Sequence, residues 1–161
     1  MTDLSIPSPH CDTLLVKPDW LDENGHMNVS FYSRAFDLGG EVFFRDCGIG
    51  WDYTREGFGT IFMTRCHFDF RRELMGGDPL LVTTRLIDWS PKLVHTYQAL
   101  YHQDAGYFAA SAEMLFIHVS FADRTSMEMS EQILARLEQI AAVHQMLPRP
   151  DNLGMQIEIR R

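Results

Sequence analysis

Long apolar runs are missing from this sequence. Nowhere do about 18 uninterrupted apolar residues occur, the length a bilayer-spanning helix needs, and no basic stretch followed by an apolar run opens the chain. A cytoplasmic protein is therefore expected. Cysteine is scarce and unpatterned: Cys11, Cys47 and Cys66 are odd in number, far apart and outside any C-x-x-C or His-spaced group, so reduced structural thiols are predicted. Positive charge is also short. Fourteen Lys and Arg against 22 Asp and Glu leave a net charge of −8, which argues against a general surface for nucleic acid or anionic membrane, since both need clustered cations. His67, His95, His102 and His118 form no i, i+4 or H-x-H pair, so no metal is expected. Internal repeats, heptads and low-complexity tracts are likewise missing.

What is present suits one globular domain. At 161 residues the chain can bury about two-thirds of its unfolded surface, and its 45% hydrophobic and 22% charged content is ordinary for a globular protein. A single domain over residues 1–161 is predicted, with a loose leader at 1–10 and a C-terminal tail at 148–161. Cys11 to Lys17 reads as a strand stopped by Pro18. From Val29 to about Asp46, Tyr32, Ala35, Phe36, Leu38, Val42 and Phe43 recur at helical spacing, with Gly39-Gly40 as a local conflict that suggests close packing. Cys47-Gly48-Ile49-Gly50 ends that helix, and Trp51 to Gly59 reads as a loop. Alternating patterns over Ile61 to Arg71, Leu80 to Trp89, Lys92 to His102 and Tyr107 to Phe121 predict strands, joined by short turns. Ser130 caps a last helix running to about Met146, and Met155 to Ile159 alternates enough for a short edge strand or a contact with a second subunit. The pattern is α+β, an antiparallel sheet with one long helix.

The chemistry is expected between Trp20 and Tyr32. Asp22, Asn24, His26 and Asn28 fall within seven residues, Gly25 tolerates a positive φ, and the helix begins at once afterwards. A carboxylate thus sits beside a helix N-terminus, whose unpaired N–H groups and partial positive charge suit a developing oxyanion. Spacing alone leaves a second reading open, in which Asp22 or Asn24 merely caps the helix.

The order Asp22-x-x-Gly25-His26-x-Asn28-x-x-x-Tyr32 resembles the active-site signature of hot-dog-fold acyl-CoA thioesterases of the 4-hydroxybenzoyl-CoA thioesterase type, D-x-D-x-x-G continued as H-x-N-x-x-x-Y. The first Asp of that signature is Trp20 here, which suggests a subgroup with a different pocket. Asp22-Glu23-Asn24-Gly25-His26-Met27-Asn28 is similar in wording to thioesterases of carnitine breakdown, which hydrolyse betainyl-CoA. The likeness runs from about Leu15 to Leu137.

The resemblance implies a sheet wrapped around the central helix and hydrolysis of a small acyl-CoA, betainyl-CoA foremost. Asp22 would be nucleophile or general base, and backbone N–H groups around Gly25, His26 and Asn28 would hold the oxyanion, with Asn24 and Asn28 positioning groups. Tyr32, Trp20, Trp51 and Trp89 are candidates for the acyl pocket, since aromatic faces hold a trimethylammonium group well. Arg71 and Lys92 are candidates for the CoA phosphates. No cofactor is implied, CoA being part of the substrate, and a homodimer or homotetramer is expected because a lone wrapped sheet leaves an edge strand. The rival readings are a hot-dog enoyl-CoA hydratase and a non-catalytic acyl-CoA-binding module.

Overall fold

The computed structural model describes residues 10–159. Strand β1 (His10–Leu15) leads through a 3₁₀ turn at Pro18–Trp20 into the polar loop and then α1 (Val29–Cys47). A short helix α2 (Trp51–Arg55) precedes strands β2 (Gly59–Phe70), β3 (Pro79–Trp89), β4 (Leu93–His102) and β5 (Phe108–Ser120), and α3 (Glu131–His144) follows. The five strands pair antiparallel in the order β1-β3-β4-β5-β2. This is the α+β sheet wrapped around a central helix that the resemblance implies.

Helix α1 is made by its ends and by one face. The Asn28 side chain accepts the Ser30 N–H at 3.0 Å, and Gly48 closes the helix at φ 84°, a left-handed position that glycine adopts freely. Tyr32, Ala35, Phe36, Gly39, Gly40, Phe43, Phe44 and Cys47 are buried, a 3-and-1 rhythm that puts one stripe on the sheet. The glycine pair is the point of closest approach. A β-carbon on Gly39 would lie 2.4 Å from Val82 Cβ, and one on Gly40 would lie 2.2 Å from Gln98 Nε2.

Among the described residues β1 pairs with β3 as far as Thr84, and helix α3 packs on β3 beyond it. There Leu86 N–H donates to His144 Nδ1 at 2.7 Å, and Arg85 donates to the carbonyls of His144 and Leu147 at the end of α3. That bond fixes the tautomer of the neutral ring. His144 Nε2–H then faces His10 Nδ1 at 3.2 Å, and His10 Nε2 meets the Asp46 carboxylate, which Arg136 also grips at 2.6 and 2.7 Å. Burial, helped by the nearby His10 and Arg85, pushes His144 down to about 4. An unfolded histidine protonates near 6.5, so between those pH values the unfolded chain binds the extra proton and the fold loses stability as pH falls. The loss approaches 2 to 3 kcal/mol by pH 4. Urea unfolding between pH 7.5 and pH 4.5 will show this slope, and His144→Gln, whose amide oxygen can still accept from Leu86, will flatten it.

Two expectations are corrected. Residues Trp51–Arg55 form a helical turn where a loop is expected, because the Glu41 carboxylate caps the Trp51 N–H at 2.9 Å from ten residues upstream. Met155 to Ile159 form no strand; the preceding Gly154 N–H is taken by Glu113 Oε2, which holds the chain on the outer face of the sheet rather than at its edge. The leader expected at residues 1–10 lies outside the described residues except for His10, which begins β1.

Candidate active site

The loop between the 3₁₀ turn and α1 is locked by its own backbone. Asp22 N–H donates to the His26 carbonyl at 2.9 Å and Gly25 N–H to the Asp22 carbonyl at 3.0 Å, a turn that Gly25 completes at φ 79°. Met27 N–H bonds the Leu74 carbonyl and Asn28 N–H the Trp20 carbonyl, both at 2.8 Å, which staples the loop to the segment after β2. Asp22 Oδ1 accepts the Asn24 N–H at 2.9 Å and the His26 N–H at 3.2 Å. Among the described residues Oδ2 takes no hydrogen bond, so one oxygen is anchored and the other is available. The carboxylate is half-buried rather than dissolved in solvent.

The N–H groups of Gly25, His26 and Asn28, on which the oxyanion role was expected, and that of Met27 are all engaged, the first two by Asp22, Met27 by Leu74 and Asn28 by Trp20. Ser30 N–H is spent on the Asn28 cap. Val29, the first residue of α1, keeps its N–H without an acceptor among the described residues and is 63% exposed. It stands at the positive end of a 19-residue helix. Sequence reasoning missed it; the signal was Asn28 itself, because an N-cap satisfies the second or third N–H of a helix and leaves the first open.

The other expected residues are scattered. His26 Nε2 pairs with Glu73 Oε2 at 3.2 Å, and Asn24 is exposed at the loop tip. Trp20, 4% exposed, stacks on Phe31 in the core beside α1, and Tyr32 is buried edge-on against Phe70, so neither lines an open pocket. Trp89 packs with Phe43, Phe44, Met129 and Leu137 at the C-terminal half of α1, the end away from the loop. Arg71 is paired with Asp69 at 2.6 Å, and Lys92 is exposed in the β3–β4 turn. Trp51 alone of the three tryptophans lines a large cavity.

That cavity, about 770 Å³, runs along α1 from Ser30 and Ser33 to Glu41 and Phe44 and is walled by α2, β2 and the sheet at Gln98 and Met114. Its opening follows β2, the strand at the end of the sheet, which among the described residues pairs only with β5. A bulge between Met63 and Arg65 resets the strand's alternation, so that Met63 enters this cavity while Cys66 and Phe68 pack on the core beside α1. Burial raises the Glu41 carboxyl above its ordinary value, although the Trp51 N–H and Arg45 pull the other way. The cysteines are free, and burial lifts Cys66 to about 11, which keeps it an unreactive thiol.

Comparison with known proteins agrees with this architecture. Residues 16–137 match the thioesterase-like superfamily. A betainyl-CoA thioesterase from Pseudomonas aeruginosa is 32% identical over 140 residues, spanning 86% of this chain and 87% of that protein. An L-carnitine dehydrogenase/betainyl-CoA thioesterase from Rhizobium meliloti is 26% identical over 99% of this chain, which spans 32% of that longer protein. Among solved structures, a hypothetical protein from Staphylococcus aureus in complex with CoA superposes with a TM-score of 0.85 at 22% identity, covering 94% of this chain and 95% of that one. A 1,4-dihydroxy-2-naphthoyl-CoA thioesterase from Synechocystis gives 0.71 at 12% identity, covering 81% of this chain and 96% of that one.

Proposed function

Starting from a chain that belongs to the thioesterase-like superfamily and is a hot-dog thioester hydrolase, we propose that it hydrolyses betainyl-CoA to betaine and CoA, with Asp22 as the reacting carboxylate. The observation that carries the reading is the junction of loop and helix: an anchored carboxylate with one open oxygen, next to the unspent N–H of Val29. The thioester carbonyl oxygen accepts from Val29 N–H at the helix N-terminus. Asp22 Oδ2 then attacks the carbonyl carbon, or takes a proton from the water that does. Either way the C–S bond breaks, the thiolate leaves without needing a strong acid, and water supplies the oxygen of the product carboxylate.

The acyl group needs a pocket, and geometry supports one shared by two copies. An exposed edge strand of 12 residues carrying exposed Phe62, Met63 and Phe70 is a template for antiparallel pairing with a second copy. In such a pair the Phe70 end of one β2 lies beside the Gly59 end of the other. The Asp22 loop is stapled near its own Phe70 end, through Leu74 and Tyr32, while Thr60, Ile61 and Trp51 form one end of the cavity. Each site is thus assembled from the loop of one protomer and the cavity of its partner. A monomer–dimer equilibrium follows from this: Thr64→Pro with Phe62→Lys, two changes on the free edge, is expected to raise the dimer dissociation constant at least a hundredfold and to lower specific activity in parallel, read by sedimentation and by assay over a dilution series.

The reading is tested by thiol release from betainyl-, acetyl-, butyryl- and benzoyl-CoA. Release is expected to be fastest from betainyl-CoA. Release from none of them, with stoichiometric binding instead, would favour a passive acyl-CoA-binding module, and an absorbance change with an enoyl-CoA would favour a hydratase.

A further inference from the structure

We propose that Glu41, with Trp51 and the Gln98 amide, selects a quaternary ammonium on the acyl group. The assignment rests on the thioesterase reading above and on the cavity along α1 as its acyl site.

The charges lining the cavity are not equivalent. Arg34 is neutralised by Asp37 at 2.7 Å and Arg55 by Asp52 at 2.9 Å. Glu41 has no ion-pair partner among the described residues, and its side chain is held in place because Oε1 accepts the Trp51 N–H. An unpaired carboxylate in a mostly apolar cavity is costly without a compensating cation. A second, independent observation points to the same occupant. Gln98 is 1% exposed and lines the cavity; its Nε2 donates to Thr84 Oγ1 at 3.0 Å, while its buried Oε1 has no partner. The neutral acceptor is enclosed in the cavity wall rather than open to the cavity, near the turn of α1 that carries Glu41, since the Gln98 amide packs on Gly40, and both oxygens present negative charge to this part of the cavity.

The surrounding wall decides which cation fits. Phe44, Phe116 and Trp51 supply aromatic rings to the lining, and Ile61 and Met114 add apolar surface. A primary ammonium needs an acceptor for each of three N–H bonds. A quaternary ammonium needs none, gains from aromatic rings and a nearby carboxylate, and is favoured by the partial negative charge of the Gln98 carbonyl behind the wall.

Distance then fixes which Asp22 acts on this group. Glu41 lies 11 residues beyond Ser30 along α1, about 16 Å at 1.5 Å per residue. The nitrogen of a betainyl group is two bonds from its carbonyl carbon, so a cation held at Glu41 presents its thioester there too. The same protomer's Asp22, beyond Ser30, is out of reach; the partner's loop, which the β2 pairing brings to the Thr60 end, is not.

The test is a pair of esters of equal shape. In 3,3-dimethylbutanoyl-CoA a carbon replaces the nitrogen of betainyl-CoA at equal shape, removing the charge and with it the ammonium's inductive activation of the carbonyl, so each preference is read relative to the ratio of the two esters' uncatalysed hydrolysis rates. The native protein is expected to favour betainyl-CoA by at least tenfold in kcat/KM. Glu41→Gln, whose amide oxygen can still accept the Trp51 N–H, is expected to reduce that ratio at least tenfold, and Trp51→Leu at least threefold. Because it is a ratio, any loss common to both esters cancels, so impaired folding cannot mimic the effect. A native preference for the neutral ester, or a ratio that survives Glu41→Gln while both esters are still cleaved, overturns the assignment and leaves the thioesterase reading intact. No thiol from either ester with the native protein overturns that reading, and the assignment with it.

Discussion

Asp22→Asn is expected to lower kcat/KM for the preferred CoA ester more than a hundredfold while leaving the thermal midpoint within about 2 °C of the native value. The two halves of this result have separate causes. Asn Oδ1 can still accept the Asn24 and His26 N–H groups that Asp22 Oδ1 holds now, so the loop keeps its turn. The open oxygen becomes an NH₂ group, which can neither attack a carbonyl nor take a proton from water. A hundredfold is about 2.7 kcal/mol of transition-state stabilisation, modest for removal of a reacting group. Steady-state thiol release with a parallel melting curve decides it. An equal fall in activity and stability would mean that Asp22 only builds the loop.

The largest structural effect is expected at Gly39. Alanine is favoured over glycine in a helix interior by about 1 kcal/mol, so propensity alone predicts that Gly39→Ala stabilises α1. Packing predicts the reverse. The new methyl would sit 2.4 Å from Val82 Cβ and 2.7 Å from both its γ-carbons, and Val82 is a fully buried β-branched residue in β3, fixed by pairing on both sides. Neither atom can swing aside, so α1 must lift from the sheet. Overpacking costs typically 1 to 3 kcal/mol and sometimes more, and a net loss of about 2 kcal/mol is expected, or roughly 4 to 8 °C in Tm for a chain of this size. Gly40→Ala provides the contrast. Its obstacle is the terminal amide of Gln98, which can rotate at the expense of its bond to Thr84, so the loss of stability is expected to be smaller and the change in ester preference larger. Urea and thermal unfolding of both variants separate the two cases.

Much of this fold was legible because it is written locally. The buried face of α1 follows from apolar spacing, its C-terminal end from Gly48, and the four later strands from alternation between short turns, whereas the cap is Asn28 rather than Asp22 or Asn24. The glycine pair was legible as a conflict that close packing or a break in the helix would resolve equally, and the approach to Val82 and Gln98 decides for packing. What escaped depends on partners remote in sequence. Helix α2 begins at Gly50, which has no side chain to cap it; Glu41 does that work from the previous helix. The bulge in β2 has no marker at Thr64, yet it decides that Met63 enters the cavity. Of the tryptophans, only tertiary packing distinguishes Trp51 at the cavity, 41% exposed, from Trp20 in the core and Trp89 half-buried against it. The loop signature singled out Asp22, but the N–H groups expected to act beside it, from Gly25 to Asn28, are engaged by Asp22, Leu74 and Trp20, partners that spacing alone does not reveal.

The central claim is a site made of one protomer's Asp22 loop and its partner's cavity, and mixing two damaged proteins tests it most directly. Asp22→Asn removes the carboxylate and leaves the cavity; Asp37→Trp, at an exposed position on the cavity wall, fills the cavity and leaves the loop. Each alone is expected to be nearly inactive. After subunit exchange at equal concentrations, half of the dimers are mixed and each has one fully native site of two, so activity should return to about a quarter of the native level. Exchange verified by fluorescence energy transfer between labelled protomers, with no activity regained, would contradict the account.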